Sequence, residues 1–413
     1  MRMITHDEVR HNVAPPRSIV LPGMVLVFLA LTLAACSADK EPAENQNATV
    51  EAENGNCRLT TDISAWNAFK VIADRVAGGE NVPLDDFYDY AELPTLTLWR
   101  ESLEQKAPPA QRIAKWLEGV FWEEMGRKGE QKRSPDRTDY LHNCNYSLQN
   151  RERIDARLAE LAGPRKCEMD ELIRYWTDAE NLPGDITIHF LPAKPEIRIL
   201  EGNLFVDTGV LAAGSVDQII GSSASLLYRR YQAIPGTNPM ELEGELSVAQ
   251  AFRVLVNEGV IGWIDQAASL EFDKNHPALY KVNLIPENFF LKAQEALGLI
   301  NRQLGKMLDD EADMNTRGRF FAEHLAAMNA FSQTGYGMSA VIFHRLGKDR
   351  LKEASRSVPG FLATYQEAAL LNPVPAPIPG TPGHELFETV PPLDPDLFLK
   401  LHAMLSRVFP EQE

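Results

Sequence analysis

The sequence predicts a mostly helical α+β fold in which a small antiparallel sheet precedes a central pair of helices. Three observations support this fold class. Apolar residues recur at helical spacing along most segments between residues 58 and 180. After Pro183 the spacing changes to alternation over short runs, as in half-buried strands. Helical spacing then returns at Ser215 and continues to residue 371.

The composition is that of a globular protein that does not bind nucleic acid. The chain has 413 residues, of which 44% are hydrophobic and 24% are charged, and this length allows a large core in one or two domains. The net charge is -17. Contacts to phosphates require clustered Lys and Arg side chains. We therefore expect no nucleic-acid partner.

Residues 1–35 resemble the signal peptide of a bacterial lipoprotein. Arginines precede an apolar run from Ile19 to Ala35, and the run ends in small residues directly before Cys36. This resemblance implies that Cys36 is lipidated and anchors the mature chain to a membrane. Ser37, which is not Asp, favours the outer membrane and a domain facing the periplasm. The alternatives are a short transmembrane helix and a plain cleaved signal peptide.

The segment that follows is predicted to be a flexible acidic tether over residues 36–57, because it contains almost no large apolar side chain. The mature chain then contains Cys57, Cys144 and Cys167. Three is an odd number for an oxidising compartment, so one disulfide and one free thiol is the simplest expectation. The sequence does not assign the pairing. No CxxC spacing occurs among these three cysteines, so no structural metal site is expected.

Residues 58–180 are predicted to form a helical N-terminal region. Each helix is indicated by apolar residues on one face and by a Gly or Pro at its end. The predicted helices are Trp66–Val76, Leu96–Leu103, Ala110–Gly126, Asp136–Ala162 and Glu168–Glu180.

Residues 181–371 are predicted to form the core, with short strands at 186–190, 197–200 and 204–210. Their connections are too short for crossovers, which predicts an antiparallel sheet. Ser215 with Gln218 is a capping-box signature for the first central helix, which extends to Tyr231. The remaining predicted helices are Leu246–Ala268, Pro286–Leu308, Phe320–Phe331, Gly335–Leu346 and Pro359–Leu371.

The last region, residues 372–413, is predicted to be a proline-rich strap followed by one helix. Several prolines between Asn372 and Pro395 favour an extended segment over the surface. Asp394 followed by Pro395 predicts an N-cap and first helical residue, and the helix should run to Phe409.

Several motifs between Leu182 and Tyr365 together resemble those of bacterial zinc-dependent peptidases of the gluzincin, or zincin-like, group. They are the strand ITIHFLP after Leu182-Pro183, the helix opening Ile219-Ile220-Gly221, the segment LVNEGVIGWID that contains Glu258, and the positions Gly337, Met338, Gly347, Pro359, Phe361 and Tyr365. The resemblance implies a zincin-like domain. In such enzymes a His-Glu-x-x-His helix supplies two zinc ligands and a general base, and a Glu on the next helix supplies a third ligand.

The chain departs from that pattern at the metal site. His-Glu-x-x-His would fall on Ser222 to Leu226, so Ser222 and Leu226 occupy the histidine positions and Ser223 the glutamate position. Neither serine nor leucine is a useful zinc ligand, so zinc is not expected as a cofactor. Glu258 is either a vestigial ligand lining a cleft or a helix residue paired with Arg229 or Arg230.

These observations favour a membrane-anchored, periplasm-facing lipoprotein of the bacterial envelope that is not an enzyme. Its zincin-like domain is expected to bind a peptide or protein, with no catalytic residue. The resemblance implies that a peptide pairs with an edge of the sheet, for which residues 204–210 are the candidate strand. The alternatives are an active zinc-dependent peptidase with ligands from elsewhere in the chain and a purely structural envelope lipoprotein.

Overall fold

The structure, a computed structural model, describes residues 57–103, 108–126, 135–265, 287–328, 330–371 and 391–410. These residues belong to one compact unit that spans residues 47–413. The predicted signal peptide, Cys36, the tether up to residue 56 and most of the proline-rich strap lie outside the described residues and stay predictions. A helix long and apolar enough to cross a membrane is not found in the described part of the chain.

In the described part of the chain helices dominate, and four short strands form a single sheet, which confirms the predicted α+β class. The N-terminal elements are β1 (Leu59–Asp62), α1 (Ser64–Ala77), α2 (Leu84–Ala91), α3 (Pro94–Glu101), α4 (Ala110–Val120), α5 (Pro135–Gln149), α6 (Arg151–Ala162) and α7 (Lys166–Trp176). The central elements are β2 (Ile186–Leu191), β3 (Ile197–Leu200), β4 (Asn203–Asp207), α8 (Thr208–Ala213), α9 (Val216–Tyr231) and α10 (Gly244–Ile264). The C-terminal elements are α11 (Glu287–Leu299), α12 (Gly305–Leu308), α13 (Glu311–Ala327), α14 (Ala330–Leu346), α15 (Lys348–Ala354), α16 (Val358–Leu370) and α17 (Pro395–Val408).

The sheet is mixed, with strand order β1-β2-β4-β3, so the prediction of a purely antiparallel sheet is wrong. Only β3 and β4 are antiparallel, as their short connection requires. On its other side, β4 pairs in parallel with β2. This is possible because β3, which comes between them in sequence, runs in the opposite direction at the edge of the sheet. The fourth strand, β1, was not predicted. It comes from the N-terminal region and pairs in parallel with β2.

The predicted edge strand at residues 204–210 is also wrong, because β4 lies inside the sheet and the edges are β1 and β3. The strand ends at Asp207, whose buried carboxylate caps α8 by accepting a hydrogen bond from the backbone N–H of Val210 at 3.0 Å. Asn143 and the N–H of Ala193 donate to the same carboxylate. Burial nevertheless raises the pKa of Asp207 to about 7.

The β3–β4 hairpin determines which backbone groups of β3 face outwards. Its two turn residues, Glu201 and Gly202, both have positive φ angles of 46° and 83°, as in a type I′ turn. The N–H of Asp207 donates to the carbonyl oxygen of Glu196 at 3.3 Å. Hydrogen-bonded pairs alternate along an antiparallel ladder, so the N–H and C=O groups of Ile197 and Ile199 point away from β4.

Most of the predicted helices are present, and their caps explain their ends. The capping box of Ser215 and Gln218 is formed at the start of α9, and Asp394 caps α17. The single helix predicted from Asp136 to Ala162 is instead α5 and α6. The break is at Asn150, whose side-chain amide donates to the carbonyl of Tyr146 at 2.9 Å and so competes with the helical backbone.

The helix α10 lies at the centre of the C-terminal half, where it packs against α9, α13, α14 and α17. Its closest crossing is with α14, at Gly259 and Gly335. A Cβ atom added to Gly335 would lie 2.0 Å from the carbonyl oxygen of Leu255, and one added to Gly259 would lie 2.2 Å from the carbonyl carbon of Gly335. The two backbones can therefore touch only because both residues lack a side chain.

Candidate functional site

The predicted site lies between α9 and α10, which run antiparallel. Near the start of α9, Gly221 approaches the C-terminal end of α10, and a Cβ atom at this position would lie 3.0 Å from the carbonyl oxygen of Ile264. The next residue, Ser222, meets Asp265, and Arg229 further along α9 meets Glu258. The earlier residue of α9 contacts the later residue of α10, and the later one contacts the earlier one. The two helices therefore run antiparallel.

Two polar pairs join the helices along what we call the α9–α10 seam, formed by Ser222, Arg229, Glu258 and Asp265. The Ser222 hydroxyl donates a hydrogen bond to the Asp265 carboxylate. Arg229 forms a two-point ion pair with Glu258, with both N–O distances equal to 2.9 Å. Ser222 and Arg229 are separated by two helical turns on one face of α9, and by helical spacing Leu226 lies between them.

The electrostatics of the seam centre on its two carboxylates. Burial raises the pKa of Asp265 to about 6, although the hydrogen bond from Ser222 and the positive charge of Arg229 act in the opposite direction. The Arg229–Glu258 pair is partly exposed, with 49% and 31% of the two side chains accessible to solvent. Solvent therefore screens this pair, and it contributes little to stability.

The structure brings two of the four predicted site positions together in the seam, namely Ser222 and Glu258. Leu226 is partly buried, and Ser223 is fully buried on another side of α9. The Ser223 hydroxyl has no hydrogen-bond partner among the described residues. Of the two alternatives for Glu258, an ion pair with Arg229 is present.

Sequence reasoning missed Asp265, which is the other carboxylate of the seam. A usable signal was its spacing, because residue 265 lies seven positions after Glu258 and therefore on the same face of α10. The same seven-residue interval separates Ser222 from Arg229. Two intervals of equal length on antiparallel helices are compatible with both pairs, although spacing alone does not show which faces meet.

The residues of the seam do not suit a zinc ion. Zinc sites in proteins use thiolates, imidazoles and carboxylates, whereas the seam offers two carboxylates, of which Glu258 is neutralised by a guanidinium. Across the described ranges, no group of three or more His, Cys, Asp and Glu side chains is arranged to hold a metal. The expectation that zinc is not a cofactor stays a prediction.

The buried histidine of the sheet, His189, has a different role. Its Nδ1 atom lies 2.9 Å from the carboxylate of Asp62, and its Nε2 atom lies 2.9 Å from the side-chain oxygen of Asn203. Burial acts against the charged form of Asp62, but hydrogen bonds from His189, Thr95 and Ser64 outweigh it and hold the pKa well below its usual value. This network joins three strands and α3, so both ring nitrogens of His189 are already used.

A pocket lies on the opposite side of α9, against α7 and α15. Its volume is about 480 Å³, and its lining includes Glu171, Asp217, Ile220 and Lys348. The Lys348 ammonium lies 3.6 Å from the centre of the Tyr175 ring, and burial lowers the pKa of this lysine. The seam and the pocket thus flank the same helix.

Comparison with known families supports the resemblance inferred from the motifs. Residues 233–374 match the model of a family described as "Putative zinc dependent peptidase (DUF5700)". The matched segment is about a third of the chain, and it contains Glu258, whereas α9 and the sheet precede it. No curated protein matches the chain, and no solved structure does.

The motif residues in the matched segment serve packing and turns. Gly347, with φ of 92°, occupies the left-handed conformation between α14 and α15. Pro359 begins α16. Met338, Phe361 and Tyr365 are fully buried. These motif residues therefore lie where α14 packs against α16 and at the turn that follows α14.

Proposed function

We propose that this protein is a zinc-free, peptidase-like binding protein that holds an extended peptide or protein segment and does not hydrolyse it. The family match supports a peptidase-like domain. The observation that carries the proposal is the two-point ion pair between Glu258 and Arg229. The carboxylate of Glu258, which was expected to bind zinc, is paired with a cation. That cation comes from α9, the helix that was expected to supply the zinc-binding histidines.

The proposed binding element is the edge strand β3, which replaces the strand expected from sequence. Two observations favour it. First, β3 packs against α9, so a segment bound along it would lie near a helix that contributes to the candidate site. Second, the outward N–H and C=O groups of Ile197 and Ile199 can continue a β-ladder with an added strand. Main-chain hydrogen bonds of this kind accept many sequences, which suits a binder of extended segments.

We further propose that the protein acts at the bacterial outer membrane, anchored through lipidated Cys36 and facing the periplasm. The support is the arrangement of arginines, apolar run and small residues before this cysteine. Metabolic labelling with a fatty-acid analogue tests it. Label should appear on the native chain and be lost in Cys36→Ser, and label retained by that variant would refute the anchor.

Metal content tests the loss of zinc. Full-length protein purified with zinc in every buffer and then dialysed should contain far less than one zinc per chain by elemental analysis. The matched control combines Ser222→His, Ser223→Glu, Leu226→His and Arg229→Ala, which restores the motif and frees Glu258. This variant should retain about one zinc per chain, because three ligands then converge. One zinc per native chain would refute the proposal.

Fluorescence anisotropy with a pool of labelled short peptides tests the edge strand. Ile199→Pro removes one outward N–H without touching the β3–β4 ladder, so it should weaken binding about tenfold or more. Ile199→Ala keeps the N–H and should bind as the native protein does. Equal weakening by both variants would show that the Ile199 side chain, and not the strand edge, makes the contact.

The family match also favours a second candidate, an active zinc-dependent peptidase. Its ligands would then have to include residues beyond the described ranges. The metal assay separates the two candidates, since a stoichiometric zinc ion together with cleavage of the peptide pool would establish the peptidase.

A further inference from the structure

We propose that Cys57 and Cys167 form a disulfide bond that ties the start of the folded chain to α7, while Cys144 remains a free thiol. The inference rests on the proposed export to an oxidising compartment. It concerns a pairing that the sequence left open. Three independent observations on the described residues support it.

The first observation is that the two side chains are neighbours. The Cys167 side chain is close enough to the Cys57 thiol to raise its pKa. Both thiols line one open pocket of about 320 Å³, together with Asp170 and Arg174. Cys57 and Cys167 are each partly exposed, so an oxidant can reach them.

The second observation is that the backbone next to Cys57 is already fixed against the same helix. The N–H of Arg58 donates to the carboxylate of Asp170 at 3.1 Å. Asp170 in turn accepts from the Arg174 guanidinium at 2.9 Å. Residues 167 and 170 lie on the same face of α7 by helical spacing. The position of Cys57 over Cys167 is thus set by contacts that do not involve sulfur.

The third observation concerns Cys144, which is fully buried on α5. It lies among buried groups that include Tyr140 and Asp207. Burial raises the pKa of the Cys144 thiol well above its usual value. A fully buried thiol, unlike the partly exposed Cys57 and Cys167, cannot be reached by an oxidant. Cys144 is therefore assigned as the unpaired cysteine, because it is excluded from solvent.

The bond is expected to be structural and not an exchanging redox centre. Burial first, and then the neighbouring Cys167 side chain, raise the pKa of Cys57 to about 11. Redox-active cysteines have the opposite property, a lowered pKa. A zinc site on the pair is disfavoured, because no metal-holding group of three or more ligands occurs in the part of the chain that the structure describes.

The reaction is a thiol–disulfide exchange with a disulfide-bearing oxidant, either a protein or a small molecule. One thiolate attacks the oxidant and displaces a thiolate, which gives a mixed disulfide. The second cysteine then attacks the bonded sulfur and releases the other half of the oxidant. Overall, two protein thiols lose two protons and two electrons, and the oxidant is reduced to two thiols.

The bond would hold the chain where the proposed tether enters the fold. Cys57 is two residues ahead of β1, an edge strand of only four residues. A tether attached to a membrane transmits tension to its first folded element. A crosslink to α7 ahead of β1 would carry that tension, so the strand would not be pulled from the sheet.

Peptide mapping tests the pairing. Full-length protein in mild detergent is equilibrated with oxidised glutathione, alkylated and digested with trypsin without reductant. The expected species joins residues 41–58 to residues 167–174, with Cys144 alkylated after unfolding. Glutathione on both Cys57 and Cys167 without a crosslink, or any crosslink to Cys144, would overturn the proposal. This result does not depend on peptide binding or on the location of the protein.

Measurements of Tm provide a second test of the pairing that does not depend on the yield of the crosslinked peptides. Reductant should lower the Tm of the native protein by several degrees, on the order of 5 °C, because the bond closes a long loop. Cys57→Ser and Cys167→Ser should each abolish this response to reductant. Cys144→Ser should retain it, whatever its own stability. A response that persists in Cys57→Ser or Cys167→Ser would contradict the assignment.

Discussion

Two faces of α10 show how differently adjacent residues can be constrained. Gly259 faces α14, where the two backbones touch and no side-chain atom fits. Glu258, its neighbour in sequence, faces α9, where it forms a partly exposed ion pair with Arg229. Packing specifies the first residue almost completely. The second is held by one solvent-screened contact.

Under the proposed function, this difference explains why a peptidase-like domain can lack zinc ligands. On the side of α10 that faces α9, Ser222 pairs with Asp265 and Arg229 pairs with Glu258, where the proposed function places a lost zinc site. Removing a glycine from a backbone crossing would push two helices apart. We therefore propose that packing features persist in this domain where metal-binding features do not.

The largest effect is expected at the α14 face. Gly335→Ala should reduce the free energy of unfolding by about 3–5 kcal/mol or prevent folding, because its Cβ would lie 2.0 Å from the backbone oxygen of Leu255. Denaturant unfolding, or soluble yield if the variant fails to fold, provides the measurement.

The matched control for this prediction is Gly305→Ala. Gly305 is also helical, but nothing lies within 4 Å of its added Cβ. This variant should be stabilised by about 0.5–1 kcal/mol. Equal destabilisation of both variants would show that helical glycines matter here for a reason other than the crossing.

An intermediate effect is expected from Asp265 and should depend on pH. Its folded pKa of about 6 lies above the usual value for an aspartate, so the unfolded chain loses this proton at lower pH than the folded chain. Stability is therefore lost as pH rises from about 4 to 6. Asp265→Asn should remove that loss and gain about 1–2 kcal/mol relative to the native protein, after discounting for partial exposure.

The measurement is the difference in free energy of unfolding between Asp265→Asn and the native protein across this pH range. A difference that is constant from pH 4 to 7 would show that the carboxylate is not buried as described. Arg229→Ala sharpens the test. The positive charge of Arg229 lowers the pKa of Asp265. In the Arg229→Ala variant, the pH range over which stability is lost should therefore move to higher pH.

The smallest effect is expected from the Arg229–Glu258 pair itself. A double-mutant cycle with Arg229→Ala and Glu258→Ala should give a coupling energy of at most about 1 kcal/mol, decreasing at high salt. A coupling of several kcal/mol would mean that the α10 face towards α9 is as tightly constrained as the face towards α14. The two faces of α10 would then not differ in how tightly their residues are constrained.

Local patterns were enough to predict most elements and two members of the seam. The Ser215–Gln218 capping box located α9, and the segment around Glu258 located α10. The pairing of Glu258 with Arg229 was one of two alternatives, because helix spacing alone does not show which faces meet. Asp265 was missed, and so were β1 and the short helices α2, α8 and α15.

The sequence by itself determined the helices, the caps, the mostly helical class and the absence of a His-Glu-x-x-His motif, because these depend on residues within a few positions of one another. Only the tertiary structure decided the mixed sheet order, the edge strand β3, the α9–α10 seam and the contact of Cys57 with Cys167. Each joins residues that are not neighbours along the chain, such as β1 with β2. Such pairings depend on how all the faces pack at once, which no local pattern encodes.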